Sequence, residues 1–145
     1  MESPERSAKL AQITPFLRVS EMDAAVSFYR DVLSFNDVFR MTNSDHALVK
    51  RDNAAVRLMQ VDRNFDLTRP EAQQVIYIDV ENSNALYDEL KPGLDGLPSE
   101  RVRGPHDTFY GQREFHVIDG DTTLVLGSPI VAPTVETNTT SDGQS

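Results

Sequence analysis

Hydrophobic positions along the chain switch between a strand period and a helix period, and the switch happens twice. Residues 13–20 (ITPFLRVS) carry apolar side chains at strand spacing. Met22, Ala25, Val26, Tyr29, Val32 and Leu33 then recur three and four apart, the stripe of an amphipathic helix. Ser20 followed by Asp23 makes a capping-box-like start for it. Strand-like runs follow at 35–41, 46–50 and 54–61, the last two joined by an Asp52-Asn53 turn. Residues 62–72 are polar and contain Pro70, so they read as a linker. A strand at 73–80 (QQVIYIDV) opens the second half. Asn82 is an N-cap candidate for a helix over SNALYDEL, which Pro92-Gly93 is expected to end. Strand-like runs close the pattern at 101–103, 112–118 and 123–127.

Sliding the halves by 61 residues lays Val19 on Val80, Ala24 on Ala85, Ala25 on Leu86 and Tyr29 on Leu90. The repeat is therefore one of element order and apolar pattern rather than identity. It predicts an α+β fold of two tandem βαβββ units, 10–61 and 73–128, within one domain spanning 10–128. Each unit has a mixed sheet with one face under its helix and the other left to line something. Residues 1–9 read as a flexible N-terminus and 129–145 as a disordered tail, both poor in apolar side chains.

Charge and composition remove several classes of function. A net charge of −9 opposes a nucleic-acid partner, which rewards a basic face. No apolar run approaches the ~20 residues of a membrane helix, and no secretory signal is evident, so the expected location is the cytoplasm. Cysteine is absent, which removes disulfides, thiolate ligands and cysteine nucleophiles together. There is no glycine-rich phosphate loop and no nucleophile elbow.

The segment VSEMDAAVSFYRDVLSF after the first strand and YGQREFHVIDGD before the last resemble the glyoxalase, bleomycin-resistance and extradiol-dioxygenase superfamily. The resemblance implies sheets curled around a cleft, commonly completed by a homodimer, and in some members a divalent metal in that cleft. The positions matching the metal ligands are Thr14, Val75, Leu126, and Leu58 or Gln60. None is an imidazole or carboxylate donor, and a register shift of one residue recovers no ligand set. The resemblance therefore points to the metal-free, bleomycin-resistance-like branch, with no cofactor.

The last hairpin suggests what replaces a metal. A three-residue loop, Gly120-Asp121-Thr122, would pair Ile118 with Leu124 and His116 with Leu126. Gln112, Glu114 and His116 would then share the cleft face, and Phe115 and Val117 would pack under the helix. A two-residue loop would swap those sets. Thr14, Phe16 and Arg18 share a face of the first strand, and Val75, Tyr77 and Asp79 share a face of its repeat. Residues 103–111 (RGPHDTFYG) read as a mobile lid carrying Phe109 and Tyr110. The candidate ligand-binding set is thus Thr14, Phe16, Tyr77, Phe109, Tyr110, Glu114, His116 and Leu126. The structural alternatives are that Phe16 is core and that His116 satisfies an interstrand hydrogen bond.

Three functions remain open. The first is a small-molecule binding protein that sequesters an aromatic or cationic compound. The second is a divergent metal-dependent lyase, isomerase or dioxygenase using other ligands, drawn from His46, His106, His116 and Glu114. The third is a cofactorless enzyme with His116 as general base beside Glu114 or Tyr110. No catalytic residue is assigned.

Overall fold

The computed structural model describes residues 8–41, 45–62 and 64–130. The expectations for most of the N-terminus and nearly all of the tail fall outside those residues. The chain divides into two compact units, 1–67 and 68–145, whose boundary lies in the expected linker.

Unit 1 runs β1 (Phe16–Val19), α1 (Met22–Ser27), β2 (Asp37–Arg40), β3 (His46–Arg51) and β4 (Ala54–Gln60). Its sheet is ordered β1-β4-β3-β2, with β1 parallel to β4 and the other pairs antiparallel. Leu17, Val19, Ala47, Val49, Val56 and Leu58 are buried and alternate with more exposed neighbours, as strands with one covered face require. The first strand is shorter than its apolar run and starts at Phe16, so Thr14 precedes it. The first helix also departs from expectation. Its N-cap is Glu21, which makes no side-chain cap, so the Ser20/Asp23 pair does not start it. Instead Gln60, at the end of β4, accepts a hydrogen bond from Met22 N at 2.8 Å. A side chain distant in sequence thus satisfies one of the helix's orphan donors. The helix then passes into a π-helical turn, Phe28–Val32. The wider turn lets adjacent Phe28 and Tyr29 both go inward while Leu33 stays buried beyond them.

Unit 2 repeats the order: β5 (Gln74–Asp79), α2 (Ser83–Leu94), β6 (Val102–Asp107), β7 (Gln112–Asp119) and β8 (Thr122–Pro129). Its sheet is β5-β8-β7-β6, with β5 parallel to β8. Asn82 caps α2 as the sequence predicts, its Oδ1 accepting from Ala85 N at 3.0 Å. Pro92-Gly93 does not end that helix. Pro92 lacks an N–H, but Leu90 and Leu94 are both buried, and Asp95 N still donates to Lys91 O at 2.8 Å. Burial of Leu90 and Leu94, two residues to either side of the proline, outweighs the missing bond. Ser83 ties the start of α2 to the sheet: its N–H donates to Ser128 Oγ at 2.9 Å and its hydroxyl to Arg113 O at 2.8 Å.

Candidate functional site

In unit 2 the helix covers one sheet face and leaves the other open. Phe115 and Val117 are fully buried, and the Phe115 ring meets Tyr87 of α2 edge-on at 5.2 Å. That contact fixes the faces. Gln112, Glu114 and His116, on the alternate positions of β7, look away from the helix.

The register of β8 differs from expectation. Gly120 and Asp121 form a two-residue loop between paired Asp119 and Thr122, with Gly120 at φ +62°. The side chains of β7 nevertheless keep their faces, because burial of Phe115 and Val117 decides them. What changes is the partner strand: Leu126 pairs with Phe115 and Leu124 with Val117, both on the helix side. Leu126 is almost wholly buried there, and it is not a wall of the open face. The open-face positions of β8 are Thr123, Val125 and Gly127.

Gly127 makes room for the site. A Cβ built on it would lie 2.1 Å from the Tyr77 hydroxyl oxygen and 3.1 Å from Glu114 Cγ. Tyr77, the outward residue of β5, leans over this gap and donates to Gln112 Oε1 at 3.2 Å. Beside it Glu114 is only 2% exposed. The Tyr110 hydroxyl donates to Glu114 Oε2, and His116 Nε2 lies 3.2 Å from Oε1. Burial alone would raise the Glu114 pKa, but the hydrogen bonds from Tyr110 and His116, with the Tyr77 hydroxyl close by, outweigh it and hold the carboxyl below its ordinary value. The tyrosines respond oppositely. Desolvation and then the Glu114 carboxylate push Tyr77 up, and the hydrogen bond to Glu114 pushes Tyr110 up. Both phenols therefore stay protonated donors around a carboxylate anion at neutral pH.

The expected lid is largely strand. Residues 102–107 form β6, and only a tight turn follows, closed by Thr108 N–H to Gln112 O at 2.8 Å with Gly111 at φ +84°. Phe109 and Tyr110 sit on this tip, Phe109 almost fully exposed, their rings edge-to-face at 5.1 Å. Between Arg103 and His106 the ladder is irregular: Arg103 pairs with His116, yet His106 pairs with Glu114. Three steps on β6 match two on β7, so one extra residue is accommodated at Gly104-Pro105. Without it His106 would face the helix. With it His106 joins Glu114 and His116, the imidazole centroids 5.0 Å apart. The sequence named His106 beside His46, His116 and Glu114 as a ligand candidate and set it in the expected lid, without assigning it to this face. The adjoining Gly-Pro, a pair disfavoured inside a strand, was the available sign of a bulge.

The unit 1 candidates lie on their own sheet. Phe16 is 54% exposed on the face opposite α1, edge-on to His46 at 5.6 Å, with the Arg57 guanidinium 6.0 Å from its ring centre. Phe16 is thus not core. Thr14 accepts from Gln12 Nε2 at 3.0 Å.

These arrangements define a protein of the Glyoxalase/Bleomycin resistance protein/Dioxygenase superfamily: the family pattern matches residues 9–125, and the chain belongs to that superfamily. Several solved structures share the fold. A bleomycin-binding protein from bleomycin-producing Streptomyces verticillus, complexed with copper(II)-bleomycin, is 22% identical, with a TM-score of 0.65 over 82% of this chain and 96% of its own. A bleomycin resistance determinant encoded on transposon Tn5 is 19% identical, with a TM-score of 0.68 over 84% and 100%. A lactoylglutathione lyase from Agrobacterium tumefaciens is 18% identical, with a TM-score of 0.60 over 83% and 95%. No curated protein matches the chain significantly in sequence.

The positions where the resemblance implies a metal do not fit one. Leu58 and Leu126 are buried apolar side chains, Gln60 caps α1, Thr14 is bonded to Gln12, and Val75 carries no donor. The alternative register at Gly127 leaves no room for a side chain beneath Tyr77. These positions supply no ligand set.

Proposed function

We propose that this protein binds and sequesters a planar aromatic or cationic small molecule, in the manner of the bleomycin-binding members of its fold, without a metal at the family's positions. The observation that carries the reading is Glu114: a nearly fully buried carboxylate, held ionised by its donors, on a sheet face bordered by the partly exposed rings of Tyr77 and Tyr110. An apolar rim with a few directional polar groups suits small-molecule recognition. The aromatic rings supply stacking and the anion supplies preference for positive charge. On unit 2 the proposed contacts are Tyr77, Phe109, Tyr110, Glu114 and His116; on unit 1, taken by itself, they are Thr14 and Phe16. Bleomycin-containing neighbours in the fold support a ligand of this class. The proposal includes a homodimer, on the strength of the resemblance, and keeps the cytoplasm as the expected location.

Titration with bleomycin followed by tyrosine fluorescence, which no tryptophan obscures, tests the reading. Saturable binding that Tyr77→Ala weakens about tenfold, ~1.4 kcal/mol, supports it. Binding indifferent to Tyr77 and to Phe16→Ala refutes it.

The hydrogen-bonded series Tyr110–Glu114–His116 favours one second reading, an enzyme that moves a proton through His116. Turnover of a bound compound, lost in His116→Ala, would select it.

A further inference from the structure

His106 is placed at some cost and has no structural use that accounts for it. The bulge at Gly104-Pro105 interrupts the β6–β7 ladder, and its effect is to turn His106 from the helix side to a position opposite Glu114. There its Nδ1 lies 3.0 Å from Gly104 O, so Nδ1 carries the proton and donates to that carbonyl. The lone pair is then on Nε2, which has no hydrogen-bond partner among the described residues. Ligand atoms from His106, Glu114 and His116 all lie within 4.8 Å of one another.

We propose that His106, Glu114 and His116 form a binding site for a divalent first-row transition metal ion, on strands β6 and β7 and apart from every position the family resemblance assigns to a metal. Two imidazoles and one carboxylate are a borderline donor set that suits zinc, cobalt, nickel or ferrous iron rather than calcium or magnesium. Three protein donors leave a coordination position open. The separation of His116 Nε2 and Glu114 Oε1, 3.2 Å, is close to the ~3.4 Å edge expected when two ~2.1 Å bonds meet at a tetrahedral centre. Outer partners are in place for His106 and Glu114. The Gly104 carbonyl fixes the His106 tautomer, and Tyr110 holds Glu114 Oε2, leaving Oε1 towards the histidines. A plain His–Glu hydrogen bond would account for His116, but it would leave His106 and the bulge without a purpose. With the metal bound, the open position lies on the same face as Tyr77 and Tyr110 and would favour a ligand that carries a donor atom.

The test uses the full-length chain without a tag. The protein has three histidines and no cysteine, so the background is low. Cobalt(II) alone is titrated and followed by its visible d–d absorption, and zinc(II) alone by calorimetry. One ion per chain is expected, with zinc displacing cobalt. His106→Ala, His116→Ala and Glu114→Gln should each weaken binding at least about tenfold, and His46→Ala should leave it unchanged. Circular dichroism checks each variant, and His106→Gln and His116→Gln replace any that unfold. Failure to bind either ion up to millimolar concentration overturns the proposal. So does binding that survives loss of both His106 and His116, or that depends on His46. Bleomycin titration of metal-free protein is scored separately, so failure of the metal site and failure of the binding reading are distinguishable.

Discussion

Gly127→Ala is the most informative perturbation, because the structure gives its size. The Gly127 backbone is not in the left-handed region, so an alanine meets no backbone strain there and only the added methyl matters. That methyl would stand 2.1 Å from the Tyr77 oxygen, where ordinary contact begins near 3.4 Å, so the hydroxyl must retreat by about 3.4 − 2.1 = 1.3 Å. Its hydrogen bond to Gln112, 3.2 Å long, breaks. That loss is worth ~0.5–1.5 kcal/mol. The methyl also lies 3.1 Å from Glu114 Cγ, and Glu114 is almost fully buried and held by Tyr110 and His116, so it yields little. Crowding of this kind costs ~1–3 kcal/mol. Alanine's lower entropy cost in a strand returns ~0.5–1 kcal/mol. The net expectation is destabilisation of about 0.5–4 kcal/mol, centred on about 2 kcal/mol, read as a lower urea midpoint with an unchanged slope. A double-mutant cycle tests the cause. Once Tyr77→Ala removes the ring, the closest collision disappears, so adding Gly127→Ala should cost at least about 1 kcal/mol less than it does in the wild type. An equal cost in both backgrounds would refute the claim that the glycine exists to seat Tyr77. So would no cost in either.

Three further outcomes are expected. Burial, with Asp121 adding to it against Arg101, holds Asp119 above its ordinary pKa of 3.8. Its stabilising contribution is therefore present below that value and is lost as pH rises through the higher folded value. The urea midpoint of wild type relative to Asp119→Asn should thus fall as pH rises from below 3.8 through the raised folded value, and a constant difference would contradict the shift. Leu126→Ala empties a fully packed site under α2 and should cost ~2–5 kcal/mol in the same assay while leaving bleomycin affinity per folded molecule unchanged; a selective loss of affinity would return Leu126 to the binding face. Light scattering at micromolar concentration should give about twice the 16.2 kDa chain mass, and the single-chain mass would exclude the homodimer.

The sequence by itself determined the element order, the tandem repeat and the covered face of β7. These follow from local rules. Period-two burial puts Phe115 and Val117 inward and so Glu114 and His116 outward, and the two-residue loop, which the sequence alone read as swapping those sets, leaves them in place. Asn82 caps its helix through a bond that spans three residues. It also determined that Thr14, Val75 and Leu126 bring no metal donors, since that needs only residue identity. The tertiary structure decided everything that depends on where one segment meets another. Gln60 caps α1 from across the sheet, which no spacing near Ser20 could show. Burial of Leu94 carries α2 through Pro92. A loop of two residues rather than three moved Leu126 to the helix side and put Gly127 beneath Tyr77. The bulge at Gly104-Pro105 turned His106 towards Glu114. In the last two cases a shift of one residue inverts a side chain's face, and the free energy that fixes the register comes from packing between strands and helix rather than from the residues at the turn.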